Sequence, residues 1–262
     1  AGAVHDRIDA AWPIIAKRVR TIPAYGEKFV GAFEGINTPD QVTIVEIANA
    51  LAAFIGTEWQ SFDSSFDAYL RGDKTAMTPT QTAGMDLFYG KASCALCHSG
   101  PLMSDQDFHA LALPQFGPGR TRPFDPIPRD VGRMGKSDDL ADAYLFRTPM
   151  LRNVALTAPY GHNGAYPTLE GVVRHHVEEQ PNWTRDLVDL PQAEWLAASD
   201  FAVQNDRLET ERHMRARDTS PIQLSDIEIA ELVEFLNALT GASAKQPLQE
   251  IPTWVPSGLT VD

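Results

Sequence analysis

Apolar positions recur at helical spacing in three stretches of the chain, and each stretch opens on the same start signal. Thr38-Pro39-Asp40-Gln41 reads as a capping box with Pro at the first helical position. Ile44, Ile47, Leu51, Phe54 and Ile55 follow it within the run from Val42 to Trp59, which predicts a helix. Thr78-Pro79-Thr80-Gln81 repeats the signal, and its helix carries Met85, Leu87 and Phe88 as far as Gly90. Ser225-Asp226-Ile227-Glu228 is a third box. Its helix places Ile229, Leu232, Val233, Phe235, Leu236 and Leu239 before Gly241. The pattern predicts an all-α protein.

The stretches between are different in kind. Residues 101–147 show little periodicity and are rich in Pro, Gly and Asp, as in Gly117-Pro118-Gly119-Arg120 and Arg122-Pro123-Phe124-Asp125-Pro126. So long a loop inside a compact domain points to a function such as wrapping a cofactor. Residues 181–221 are polar, contain Trp183 and Trp195, and read as an insertion with short helices. Residues 245–262 read as a Pro-containing tail that packs through Trp254.

Composition narrows the class. Of 262 residues, 43% are apolar and 22% charged, which is ordinary for a globular chain. No apolar run reaches the ~20 residues that span a bilayer. The opening residues lack the basic flank and apolar core of a signal peptide. The formal net charge of −13 argues against nucleic acid and anionic lipid as partners. It leaves basic redox proteins as partners that complementary charge would steer.

The chemistry lies in the two cysteines. Residues 93–99 read Ser93-Cys94-Ala95-Leu96-Cys97-His98-Ser99. Cys-x-x-Cys alone fits a redox pair or half a zinc site. With His98 next, the pattern is that of a covalently attached c-type haem. Two thiols add to the two vinyl groups, and the adjacent imidazole reaches the iron as an axial ligand. A zinc site would need more ligands of recognisable spacing, and no other cysteine exists. Attachment of this kind implies export, so a periplasmic protein is expected.

A longer signature surrounds the motif. It comprises Phe66-Asp67-Ala68-Tyr69-Leu70, Leu87-Phe88-Tyr89-Gly90-Lys91, Cys97-His98-Ser99-Gly100-Pro101, the stretch from Phe146 to Gly164, and Thr168-Leu169-Glu170. Together these resemble the bacterial di-haem cytochrome c peroxidase and MauG family. The resemblance covers most of residues 40–180 and the last capped helix. It implies a helical N-terminal segment over 1–77, a cytochrome c-like haem domain over 78–244 interrupted by the insertion, and the tail over 245–262. The family carries two c-type haems on one chain, whereas this sequence has one motif. It matches the second, electron-transfer haem domain. The peroxide-reactive haem would then sit on a second haem-bearing polypeptide, sit on an N-terminal half removed by processing, or be missing altogether. The implied function is a peroxidase-type haem c oxidoreductase that acts on hydrogen peroxide with a redox partner protein. The alternative is an electron-transfer cytochrome c subunit of a larger oxidoreductase, without peroxidase activity.

The resemblance also implies site residues. The family's distal ligand falls eight residues after the Thr of Thr-Leu-Glu, as Met in peroxidases and Tyr in MauG. Here that position is His176. His175 is its neighbour, but adjacent helix positions point ~100° apart, so one of the two can ligate. Met103 and Met150 are the other candidates for a sixth ligand. The family's calcium ligands map to the carbonyls of Thr157 and Pro159. Arg152 and Lys91 are candidates to pair with haem propionates. His162, followed by Asn163 where the family has Asp, is expected to hydrogen-bond near the domain junction. His5, His109 and His213 are expected to face solvent.

Overall fold

The computed structural model describes residues 8–115, 129–179, 201–245 and 252–261. The chain divides into two compact units, one of Ala1–Gln60 with Gln246–Asp262 and one of Ser61–Lys245. The expected all-α class holds. Helices dominate both units, and the one sheet among the described residues is a pair of two-residue strands.

The first unit contains α1 (Ala11–Arg20), α2 (Pro23–Ala32) and α3 (Ile44–Glu58). The Thr38–Gln41 capping box forms, but it caps a single 3₁₀ turn, Pro39–Gln41, rather than the long helix. Val42 then leaves helical geometry, and α3 starts from a second box, Thr43 with Glu46. The Arg20 guanidinium donates to the Val42 carbonyl at 3.2 Å, and Val42 is fully buried. None of α3's own residues is buried, and Leu51, Phe54, Ile55 and Trp59 are exposed. Trp254, expected to pack, is also exposed.

The second unit begins at Ser61, ahead of the expected boundary at Thr78. The reason is α4 (Ser65–Leu70), capped by Ser64 and Asp67, which sends Phe66 into the core. Phe66 and Phe88 both meet Phe235, at ring-centroid separations of 5.2 and 5.1 Å. Phe88 lies on α5 (Pro79–Tyr89), which starts at the predicted Thr78 box. Phe235 lies on α9 (Asp226–Ala238), which starts at the predicted Ser225 box. The two helices approach closely enough that a Cβ on Gly84 would run into the Glu231 carbonyl. Glycine is therefore what lets α5 seat on α9.

The remaining elements frame the loops. The strands β1 (Phe108–His109) and β2 (Phe146–Arg147) pair antiparallel, Phe108 opposite Arg147. They draw the described parts of the 101–147 loop together, with the short α6 (Met134–Ser137) between them in sequence. Next comes α7 (Leu169–Val177), capped by Thr168. Within the expected polar insertion, α8 (Arg207–Ala216) buries Glu209 and His213. Residues 180–200, with Trp183 and Trp195, lie outside the described residues, as do 116–128 and 246–251.

Candidate haem site

The motif folds as one tight unit after α5. Ser93 adopts left-handed geometry with φ of 55°, and Cys94–Leu96 form a 3₁₀ turn. The His98 amide donates to the Cys94 carbonyl at 2.9 Å, and the Asp105 amide to the Cys97 carbonyl at 2.7 Å. These bonds fix both cysteines and the histidine on one short loop. Neither cysteine is in a disulfide. Burial pushes the Cys94 thiol up to about 11. Burial and the nearby Asp105 carboxylate raise Cys97 as well. Both shifts run opposite to the depressed thiol of a thioredoxin-like pair.

The His98 ring is oriented by the backbone. Its Nδ1 donates to the Met103 carbonyl at 3.2 Å. A neutral imidazole with its proton on Nδ1 keeps the lone pair on Nε2, and such carbonyl bonds orient ligating histidines. Burial pushes the His98 pKa down to about 4, outweighing the Met103 and Pro149 carbonyls and the Asp105 charge, which raise it. The ring is therefore neutral at ordinary pH, as ligation requires.

His175 and His176 divide their roles cleanly. His175 is buried, Tyr166 donates to its Nδ1 at 2.6 Å, and its Nε2 donates to the Leu111 carbonyl at 2.7 Å. Both nitrogens are spent inside the protein. In His176, Nδ1 donates to the Val172 carbonyl one turn back on α7, at 2.7 Å. Its Nε2 has no hydrogen bond among the described residues. Burial lowers the His176 pKa, so this ring too is neutral. Two neutral imidazoles with Nδ1 committed to carbonyls, beside a paired thiol motif, are the donor set that a covalently bound haem c takes.

The other candidates fall elsewhere. Met103 is buried, its sulfur 3.8 Å from the Tyr89 hydroxyl, and Met150 is exposed. Nη1 of Arg152 lies 2.9 Å from both Asp67 carboxylate oxygens, and Nε donates to the Pro101 carbonyl. Its guanidinium also sits 4.6 Å over the Phe62 ring. Among the described residues Nε and Nη1 are thus engaged within the protein, which leaves Nη2 for a propionate. Lys91 pairs with Glu228. Thr157 and Pro159 lie on an exposed turn, and neither carbonyl accepts a hydrogen bond among the described residues. His162 stacks on Phe146 at 3.6 Å, with Nε2 3.6 Å from Asp130.

Two histidines expected at the surface are engaged instead, because acidic and aromatic neighbours distant in sequence fold onto them. His213 is buried against Tyr144, with ring centroids 4.0 Å apart, and Gln115 contacts it at 2.8 Å. His109 lies between Asp105 and Asp218, at 3.0 and 3.3 Å. Ligand atoms of Cys97, Asp105 and His109 come within 4.8 Å of one another. Both His109 nitrogens already face carboxylates, so this trio does not revive the zinc reading. His5 lies outside the described residues.

Two features that bear on α7 carry no signal in the sequence. One is the Tyr166 bond to His175. The other is Arg217, whose Nη1 and Nη2 donate to the carbonyls of Glu178 and His176 at 2.9 and 3.0 Å.

A family model described as di-haem cytochrome c peroxidase matches residues 4–75. The cytochrome c551 peroxidase of Nitrosomonas europaea is 35% identical over 160 residues, covering 61% of this chain and 44% of that protein. The methylamine utilization protein MauG of Methylorubrum extorquens is 25% identical over 252 residues, covering 94% and 58%. A solved MauG-like protein associated with microbial copper homeostasis superposes with a TM-score of 0.62 at 30% identity, covering 91% and 65%. The chain spans about half the length of the curated relatives it matches. By these matches the chain is similar to the di-haem cytochrome c peroxidase and MauG family.

Proposed function

We propose that this chain is the electron-transfer haem c half of a peroxidase-type oxidoreductase, with His98 and His176 as the two axial ligands. The observation that carries the reading is the matched state of the two imidazoles. Each is neutral, and each has Nδ1 tied to a backbone carbonyl. Cys94 and Cys97 would hold the group by thioether bonds, and the 3₁₀ turn would fix their spacing. Once bound, the haem supplies a one-electron couple. The protein's part is to hold both ligands, keep them neutral and shield the metal from exchange with water. Bis-histidine ligation gives a lower potential than histidine–methionine ligation.

A six-coordinate haem offers peroxide no open position. Peroxide chemistry then belongs to a second haem, carried by another polypeptide or by an N-terminal half of the same gene product. The relatives' greater length supports this, and so does α3. That helix is apolar and has no buried residue, a pattern that needs a covering partner. Hydrogen peroxide would be the oxidant and a separate redox protein the other partner. A calcium ion held by the Thr157 and Pro159 carbonyls is part of this reading, supported by the two unengaged oxygens. A periplasmic location follows from the attachment chemistry. Among the described residues, no helix is long and apolar enough to cross a membrane.

The filled coordination favours one rival, an electron-transfer cytochrome subunit without peroxidase activity. Haem quantitation with intact mass on native material, covering every co-purifying chain, separates the two. Two haems and peroxide consumption support the di-haem enzyme. A single low-spin haem with no peroxide consumption overturns it in favour of the cytochrome.

A further inference from the structure

The C-terminal turn of α7 carries His176 and leaves backbone carbonyls without helical partners, as every helix end does. Here one side chain takes them. Arg217, just after α8, donates from Nη1 to the Glu178 carbonyl at 2.9 Å. Nη2 donates to the carbonyls of His176 at 3.0 Å and His175 at 3.4 Å. Nε is held by the Thr219 hydroxyl at 3.0 Å, which fixes the plane of the fork. The next residues keep the segment in place. The Asp218 amide donates to the Ala110 carbonyl, and the Ile222 amide to the Val177 carbonyl.

We infer that Arg217 is the positioning residue for the His176 ligand, and that its fixed charge raises the potential of the haem His176 would bind. This rests on the ligand assignment above. The first half of the argument is geometric. A planar guanidinium with several donors meets a helix end at three carbonyls, one of them the ligand's own. The helix dipole also favours a cation there. Rotating α7 about its axis, or fraying its last turn, would break these bonds, and each motion would swing His176 away. The second half is electrostatic. A permanent positive charge beside an axial ligand disfavours the ferric form, which carries one more positive charge than the ferrous. Arginine stays charged across the accessible pH range. Lysine would keep the charge but has no rigid fork with which to span three carbonyls.

The test uses haem-loaded chain with whatever partner co-purifies, and reads optical spectrum and midpoint potential. Arg217→Met is expected to shift the ferric–ferrous equilibrium about tenfold toward ferric, ~59 mV for a one-electron couple, or to lose the low-spin spectrum. Arg217→Lys is expected to keep the potential but to let exogenous imidazole or cyanide displace the sixth ligand faster. Should Arg217→Met fail to fold, the displacement rate in Arg217→Lys decides. Unchanged potential in Arg217→Met, or unchanged displacement in Arg217→Lys, overturns the assignment. His176→Ala, run in parallel, tests the underlying reading. If it turns high-spin while the Arg217 variants match wild type, Arg217 alone loses its role. If it stays low-spin, the ligand assignment fails and this inference falls with it.

Discussion

The hydroxyl of Tyr166 lies 2.6 Å from Nδ1 of His175, one residue before the ring assigned to the iron. Because Nε2 of His175 donates to the Leu111 carbonyl, Nδ1 is the acceptor and the tyrosine the donor. His175 is thus a buried strut between α7, the Tyr166 turn and the loop after β1. His175→Ala is expected to destabilise the fold by about 2–4 kcal/mol through the cavity and the stranded polar groups. The low-spin haem spectrum should survive in the fraction that folds. Denaturant unfolding followed by optical spectroscopy checks both parts, and a spectrum that turns high-spin would reverse the roles of the two histidines.

His176→Met tests the ligand from the other side. Methionine ligation raises haem potentials relative to histidine, and a flexible thioether can reach from the same helix position. The variant is expected to stay low-spin and to move its midpoint positive. A potentiometric titration that leaves the midpoint in place would mean that the sixth ligand comes from elsewhere.

How much of this was legible in the sequence depends on the range of each interaction. Thr78 with Gln81 and Ser225 with Glu228 are local, and both helices begin where those boxes stand. Cys94, Cys97 and His98 are local too. At Thr38 the local signal was real but incomplete. The box forms, yet Val42 breaks the helix, and Thr43 with Glu46 starts the next one. What composition and spacing could not show is pairing across long separations. His213 and His109 read as surface residues because Tyr144, Gln115 and Asp218 are far away in the chain. Arg217 sits in a polar stretch with no motif. Asp67 was within a recognised motif, but its partner was legible only in three dimensions.

That partner is Arg152. The pair is nearly buried, with side-chain exposures of 12% for Arg152 and 6% for Asp67. Burial alone would raise the Asp67 pKa. Hydrogen bonds from Ser64 and Arg152 outweigh it and hold the carboxyl below its usual 3.8. A depressed carboxylate stabilises the fold fully above its unfolded value, and that contribution is lost as pH falls through the folded value. Arg152→Met strands the charge and is expected to cost about 3–5 kcal/mol. The acid-unfolding midpoint should move to higher pH because the variant starts from a lower stability, even though Asp67 itself then contributes less to the loss of stability with acid. Acid titrations of the two proteins by circular dichroism check this, and coincident curves would mean that the pair contributes nothing.

Gly84 offers a packing test independent of the haem. An added methyl would meet the Glu231 backbone and the Phe235 Cβ, neither of which can swing aside. Gly84→Ala gains helix propensity, so an isolated α5 would be stabilised. In the folded unit, overpacking is expected to win and to cost ~1–3 kcal/mol. Thermal unfolding decides the sign, and a higher melting temperature would show that α5 and α9 can separate without penalty.

His109 supplies the alkaline counterpart of Asp67. Burial lowers its pKa, but the hydrogen bond to Asp105 and the charge of Asp218 outweigh that and raise it above 6.5. The folded state therefore prefers the protonated ring. Its contribution is complete below pH 6.5 and is lost as pH rises through the folded value. Both carboxylates also bind backbone. Asp105 accepts from the Asp107 amide at 2.9 Å, and Asp218 from the Ala110 amide at 3.2 Å. Loss of the proton is thus expected to loosen the loop between the haem motif and β1 before the helices respond. Hydrogen exchange at Ala110 should quicken as pH rises through the His109 titration, beyond the intrinsic pH dependence of exchange, while exchange in α5 should not. In His109→Gln that extra dependence should vanish. If it persists, the loop is governed by some other group, and the two carboxylates do not act through His109.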